Sequence, residues 1–241
     1  MNPTVFAHRG YSGVHPENTM RAFRAAVDAG ANGIECDVQL TRDGEPVVFH
    51  DERLDRLTGG SGLLADRSWR ELSTLQVRGE RIPHLDELLE LAAQQPLVLN
   101  LELKNSVIHY AGIEEMVVER LWRFGLLDRC IVSTFDHLSL QTLAALDCGV
   151  ATGMLYGCRM VEPWRYAAKL GVSALHPQAD SVDDYLCAGA HDAGLSINTW
   201  TVNEPREVRR LAALGVHGLI TDFPDRTLEA LAALDEPIAD Q

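Results

Sequence analysis

Short runs of β-branched and apolar residues alternate with amphipathic stretches along almost the whole chain. Strand-like runs fall at Thr4–Ala7, Gly33–Thr41, Pro46–His50, Leu97–Leu103, Cys130–Phe135, Ala151–Leu155, Ser173–His176, Ser196–Thr201 and Gly218–Thr221. Between most of them lie helical patterns at Thr19–Ala29, Leu85–Ala93, Ile113–Phe124, Leu138–Leu146, Asp183–Asp192, Pro205–Leu214 and Arg226–Leu234. In the first of these, Phe23, Ala26 and Val27 share one side and Arg21, Arg24 and Asp28 the other, with Gly30 as the stop. Leu170-Gly171, Ala193-Gly194 and Leu214-Gly215 repeat that stop, each just ahead of a strand.

Alternation of this kind predicts a parallel sheet, and eight or so units in 241 residues predict an α/β fold of the (β/α)8 (TIM) barrel type, one domain over 1–241. An open doubly wound sheet is the other arrangement, but the first strand–helix loop has neither a G-x-G-x-x-G nor a P-loop. Nine strand candidates are one too many for a barrel of eight. The surplus is explained by Arg42-Asp43-Gly44-Glu45, which has the signature of a two-residue hairpin turn. With Arg42 opposite Glu45, the register runs Thr41/Pro46, Leu40/Val47, Gln39/Val48, Val38/Phe49 and Asp37/His50. Paired residues share a face, so His50 is expected beside Asp37, with Glu35 on that face by the period of two.

Asp51–His84 breaks the pattern: it is charged, contains Thr58-Gly59-Gly60-Ser61-Gly62 and lacks a convincing strand. It predicts a small insertion at 51–84 over the barrel mouth, since long barrel loops usually serve function; an inert surface excursion is the alternative. The tail Asp235–Gln241 is expected to fray.

Composition narrows the partners. A net charge of −14 disfavours nucleic acid and anionic membrane but leaves room for a small anionic substrate at a locally positive site. The start, MNPTVFAHRG, lacks a basic leader, and no window approaches the apolar length of a membrane span, so no stable membrane anchoring is expected. Cys36, Cys130, Cys148, Cys158 and Cys187 are odd in number and lack C-x-x-C spacing, which reads as reduced thiols in a cytoplasmic protein. The chain is expected to be a monomer or homodimer.

Glu35-x-Asp37 sets two carboxylates on one strand face, and Glu102-x-Lys104 repeats the geometry on a later strand. Either pair alone is weak evidence, because such pairs also occur on solvated strands. Charged groups at the C-terminal ends of barrel strands line the active face. Three carboxylates converging there force at least one pKa upward unless a cation sits among them, and an all-oxygen set suits Mg²⁺ or Ca²⁺. His8 follows the first strand and His50 ends the hairpin, so both imidazoles can face the mouth. Such a pair can remove a proton from a nucleophile and supply one to a leaving oxygen. Arg9 can fork onto phosphate oxygens and Lys104 can supply a point charge. Trp200 and Phe135 are candidates to wall a pocket, and His176 to face the mouth. His15 reads as exposed or a lid contact, and Glu17 and Asn18 as helix caps.

The set His8-Arg9-Gly10, Pro16-Glu17-Asn18-Thr19, Glu35-x-Asp37, Asp43-Gly44, Val47-Val48-x-His50-Asp51 and Glu102-x-Lys104 closely resembles the glycerophosphodiester phosphodiesterase family. The resemblance continues through Ile82-Pro83-His84-Leu85-Asp86-Glu87 (where His84 replaces the usual threonine), Thr199-Trp200-Thr201-Val202-Asn203 and Ile220-Thr221-Asp222. It implies a (β/α)8 barrel with a small insertion that cleaves glycerophosphodiesters to glycerol 3-phosphate and an alcohol. Glu35, Asp37 and Glu102 would hold one Mg²⁺ or Ca²⁺. His8 and His50 would be the catalytic pair, His8 as base and His50 as acid, with Arg9 and Lys104 on the phosphate. A related mechanism would have the neighbouring glycerol hydroxyl attack first, giving a cyclic phosphate that water opens. Two other classes stay in view: a Schiff-base lyase using Lys104, which would need that lysine away from cations and leaves the second histidine idle, and a silent barrel that only binds. A zinc amidohydrolase is disfavoured because the first strand has no H-x-H.

Overall fold

Every residue of the strand Gly33–Leu40 is buried, because three other strands border it. In chain order the computed structural model, which describes residues 2–235, begins with β1 (Thr4–His8), α1 (Met20–Asp28), β2 (Gly33–Leu40) and β3 (Pro46–Val48). Then follow α2 (Trp69–Leu72), β4 (Gln76–Val77), β5 (Glu80–Arg81), α3 (Leu85–Ala93), β6 (Val98–Leu103), α4 (Ile113–Phe124), β7 (Cys130–Thr134) and α5 (His137–Ala145). The chain continues as β8 (Ala151–Tyr156), α6 (Pro163–Leu170), β9 (Ala174–Pro177), α7 (Asp184–Asp192), β10 (Ser196–Thr199), α8 (Pro205–Ala213), β11 (Gly218–Thr221) and α9 (Pro224–Asp235). The expected fraying concerns 236–241, outside the described residues; Asp235 ends α9.

β1, β2 and β6 to β11 pair in parallel, and β11 returns to β1, closing an eight-stranded (β/α)8 barrel. The ninth strand of that sheet, β3, is the hairpin partner. β1 reaches only Gly33–Glu35 of β2, which leaves Val38–Leu40 free to pair with β3. The register differs from expectation by one residue: Leu40 pairs with Pro46, Gln39 with Val47 and Val38 with Val48. The turn is a three-residue loop, Arg42–Gly44, closed by Thr41 N–H donating to Glu45 O at 3.0 Å. Gly44 sits at φ +82°, and the Thr41 hydroxyl accepts from Glu45 N (2.9 Å) while donating to Asp43 (2.6 Å). That side chain favours the longer loop with a left-handed glycine over the two-residue turn. Asp37 O therefore accepts from Phe49 N at 3.0 Å, and His50 stands one residue past its expected partner.

Local signals explain the helices. Thr19 caps α1 by accepting from Ala22 N, and Ala22, Phe23 and Ala26 bury its inner face. α6 lay outside the predicted set; only its stop at Gly171 was legible, since the helix is eight residues long and carries Trp164 and Tyr166. Within 51–84, Leu54, Leu57, Leu64, Leu72, Val77 and Ile82 form a second apolar cluster with Val47 and Phe49 of the hairpin. This segment does hold strands, β4 and β5, but at two residues each they are too short to show alternation. Among the described residues, no helix is long and apolar enough to cross a membrane.

His176 does not face the mouth, contrary to expectation. It is fully buried inside the barrel, with Nε2 3.0 Å from Asn198 Nδ2. A Cβ at residue 153 would lie 2.4 Å from that ring, so only glycine leaves it room. Burial pulls the His176 pKa from 6.5 down to about 3. Between these values the unfolded chain binds a proton that the folded one does not, so this site costs stability as pH falls below 6.5. The pH dependence of urea unfolding should therefore be shallower in His176→Gln, by up to about 1.4 kcal/mol per pH unit. An unchanged slope would contradict the neutral, buried assignment.

Candidate active site

The chain leaves β1 through a sharp turn. Arg9 and Gly10 both take positive φ, +55° and +78°, and Gly10 N–H donates back to Ala7 O at 3.1 Å. A Cβ on Gly10 would meet the Ala22 backbone at 2.6 Å, so glycine lets this turn rest directly on α1. The turn aims Arg9 N–H at Glu35 Oε2, 2.9 Å away, and leaves His8 at the strand end.

Barrel closure supplies the partner of His8. Ala7 pairs with Thr221, so the next residues, His8 and Asp222, are neighbours, and His8 Nδ1 lies 2.6 Å from Asp222 Oδ1. Asp222 is held in turn by Ser12 Oγ (3.0 Å) and by Asn203 Nδ2 (2.7 Å). Burial opposes a charged His8, but the hydrogen bond to Asp222 and the charge of Glu35 outweigh it and raise its pKa. Burial likewise opposes the Asp222 carboxylate, yet the bond to His8 holds it down at about 2. The second imidazole repeats the pattern, with His50 Nδ1 2.7 Å from Asp51 Oδ1. A carboxylate only accepts, so each Nδ1 carries a proton and each neutral ring has its basic lone pair on Nε2.

Register gathers the acids. Asp37 on β2 pairs with Glu102 on β6, and Glu35 lies two residues before Asp37 on the same face. Oxygens of Glu35, Asp37 and Glu102 lie within 4.8 Å of one another, the one such group able to hold a metal ion among the described residues. Burial and then the Asp37 charge push Glu35 up to about 8, and the same two causes raise Glu102. Burial acts on Asp37 too, but Arg9, Lys104 and His50 reverse it and lower its pKa. Lys104 Nζ is 2.8 Å from Glu102 and 3.7 Å from Asp37; Arg9 Nε is 3.4 Å from Asp37 Oδ2. Asp37 Oδ1 is buried without a hydrogen-bond donor among the described residues. An unclaimed oxygen in an all-carboxylate set fits a hard divalent cation.

These groups open into one cavity. His8, Arg9, Glu35, His50, Asn100, Glu102 and Lys104 supply its polar lining, and Phe135, Leu155, Trp200 and Ile220 its apolar lining. Phe135 and Trp200 meet edge to face at 5.7 Å, and Trp200 Nε1 donates to His176 O. The sequence-predicted residues thus converge, except His176. A larger cleft between α1 and β5, about 610 Å³, contains none of them; His15 lies there, edge-on to Tyr11.

Glu17 and Asn18 are not the helix caps they were expected to be, since Thr19 takes that role. Asn18 Nδ2 donates to Asp37 Oδ2 at 2.7 Å, and Glu17 accepts from Arg9 Nη1 at 2.8 Å. Four further contributors had no role assigned from the sequence: Arg56, and Asp51, Asn203 and Asp222, which stood only as members of the motifs. Asp222 had a usable signal, because closure of a predicted barrel brings the last strand beside the first. Arg56 had none, because its contacts cross from the 51–84 segment to a loop 39 residues earlier.

Residues 8–226 match the Glycerophosphoryl diester phosphodiesterase family. A glycerophosphodiester phosphodiesterase of Caldanaerobacter subterraneus is 38% identical over 233 residues, covering 93% of this chain and 96% of that one. The crystal structure of the glycerophosphodiester phosphodiesterase of Thermotoga maritima superposes with a TM-score of 0.81 at 29% identity, covering 95% of this chain and 98% of the other. A phosphodiesterase of Oleispira antarctica, solved with its product sn-glycerol-3-phosphate, gives a TM-score of 0.85 at 29% identity, with 96% and 97% covered. With sequence, barrel and site in agreement, the chain belongs to the glycerophosphodiester phosphodiesterase family and is an enzyme of that activity.

Proposed function

We infer that Glu35, Asp37 and Glu102 bind one Mg²⁺ or Ca²⁺, and that His8 and His50 form the acid–base pair for hydrolysis of small glycerophosphodiesters such as glycerophosphocholine and glycerophosphoethanolamine. The observation that carries this reading is the pair of carboxylate-held imidazoles lining one cavity with Glu35 and Glu102, against which the buried Asp37 is clustered. The bound ion would polarise a phosphoryl oxygen and offset charge that develops on it.

Arg9 and Lys104 would take the remaining phosphate oxygens, Arg9 by a two-pronged contact and Lys104 as a point charge. His8 Nε2 accepts the proton of the attacking hydroxyl, either water or the neighbouring glycerol hydroxyl, as that oxygen bonds to phosphorus. His50 serves as the acid in its doubly protonated form: Nδ1–H stays on Asp51 while Nε2 donates its proton to the departing alcohol oxygen. Glu35 is part of what raises the His8 pKa. A cation held by that carboxylate would offset its charge and so would favour the neutral His8 that a base requires. The wall of Phe135 and Trp200 would shield the glycerol or alcohol part of the substrate from water. Product bound to the Oleispira antarctica relative supports seating the glycerol phosphate half here. We read 51–84 as a small insertion at the mouth of a single-domain barrel, contributing Asp51 and Arg56 to the site's edge. Five unpaired cysteines fit the reducing cytoplasm.

Purified protein with Mg²⁺ or Ca²⁺ should release glycerol 3-phosphate from glycerophosphocholine, and EDTA should abolish the release. His8→Ala and His50→Ala should each lower kcat by about 10²–10⁴-fold; full activity in His8→Ala would contradict the chemistry. In Asp222→Asn the His8 pKa loses its main upward support, so the acidic limb of kcat/KM should move to lower pH, with a smaller kcat. An unmoved limb would count against His8 as the base.

A further inference from the structure

We propose that Arg56, a half-exposed side chain of the 51–84 segment, is a positioning residue that sets two groups of the site at once: His50 through Asp51, and Arg9 through Glu17. The proposal rests on the diesterase reading of the cavity.

The geometry is that of one guanidinium clamping two carboxylates. Arg56 Nε lies 2.6 Å from Asp51 Oδ2, and Nη2 lies 2.8 Å from Asp51 Oδ1. The same Nη2 is 2.9 Å from Glu17 Oε1, while Nη1 is 3.2 Å from Glu17 Oε2. All four carboxylate oxygens are therefore engaged, which a planar fork of five donors can do and a lysine ammonium cannot. Each carboxylate also holds a group of the cavity. Asp51 Oδ1 takes the Nδ1 proton of His50, and Glu17 Oε1 takes a proton from Arg9 Nη1.

Removing Arg56 leaves two carboxylates facing each other without the cation that they shared, with only Arg9 left on Glu17 and His50 on Asp51. Their repulsion would draw Asp51 off His50 and loosen Glu17 on Arg9. Once off Asp51 the His50 ring is free to turn, so part of the population no longer aims its Nε2 proton at the departing oxygen. A freed Arg9 has more conformations to surrender when it meets phosphate. The first loss falls on kcat and the second on KM. Fold stability should barely respond, because half-exposed ion pairs contribute little and the segment is held by Leu54, Leu57 and their apolar neighbours. Arg53 supplies the contrast: among the described residues its side chain pairs with Asp55, at 3.2 Å, and with no group of the site.

The test compares Arg56→Gln, Arg56→Lys and Arg53→Gln with the wild type in steady-state kinetics on glycerophosphocholine with Mg²⁺ or Ca²⁺, in thermal unfolding, and in ¹⁵N imidazole spectra. Arg56→Gln should lose roughly tenfold or more in kcat/KM, divided between kcat and KM, the range expected for a group that orients others. Its unfolding midpoint should stay within about 2 °C of wild type. Arg56→Lys should recover only part of the loss, and Arg53→Gln should stay within about twofold of wild type. The protonated Nδ1 signal of His50 should persist in the wild type and weaken in Arg56→Gln. Wild-type kcat and KM in Arg56→Gln would overturn the proposal, as would a loss of activity matched by a collapse of the unfolding midpoint. A wild type inactive on every diester would instead sink the diesterase reading, and the His50 spectrum would still decide the role of Arg56.

Discussion

Three carboxylates, Glu35 and Asp37 buried and Glu102 nearly so, share one small volume at one end of the barrel, and the rest of the site answers to that constraint. At the observed 4.8 Å limit, two full charges repel by about 3–4 kcal/mol even at an effective dielectric of 20. The protein meets this in two ways. Arg9, Lys104 and Asn18 gather on Asp37 and keep it ionised, while Glu35 and Glu102 are left with a raised proton affinity. The outcome is a site with affinity for protons and with the donor set for the proposed divalent cation, including a buried Asp37 oxygen that accepts no hydrogen bond among the described residues.

Each element near the cavity can be read as a support for that cluster. The β2–β6 register sets Asp37 against Glu102, and the strained turn after β1 lets the Arg9 backbone donate to Glu35 while its side chain reaches Asp37. The two histidines flank the cluster, and each is oriented from behind by a carboxylate on a different segment. Those carboxylates are themselves anchored, Asp222 by Ser12 and Asn203, Asp51 by Arg56. Aromatic and aliphatic side chains complete the lining, and their low polarity strengthens the charge interactions within.

Much of this was legible in the sequence because it rests on periodicity. Period two on Glu35-x-Asp37 and Glu102-x-Lys104, and the surplus strand with its Asp-Gly turn, led to the barrel and its acid cluster. What failed did so for local or long-range physical reasons. The hairpin slipped by one residue because the Thr41 hydroxyl stabilises a longer loop, yet His50 still reaches the cavity, since it lies beyond the ladder. His176 ends its predicted strand as His8 does, but β9 runs on to Pro177 and Gly153 opens a space inside the barrel that the ring fills. Glu17 and Asn18 sit where caps belong, and only the fold shows them turned toward Arg9 and Asp37. Arg56 joins segments far apart in the chain, and no periodicity encodes such a contact.

The claim that most depends on the acid cluster is that a divalent ion replaces a proton there. Titration calorimetry of Mg²⁺ or Ca²⁺ into metal-free protein at pH 7, in two buffers of different ionisation enthalpy, measures it directly. Because Glu35 is pushed up to about 8, binding should be saturable, release close to one proton per ion, and strengthen as pH rises toward that value. Glu35→Gln should bind more weakly and release much less of that proton. The absence of saturable binding, or binding with the same heat in both buffers, would contradict the account.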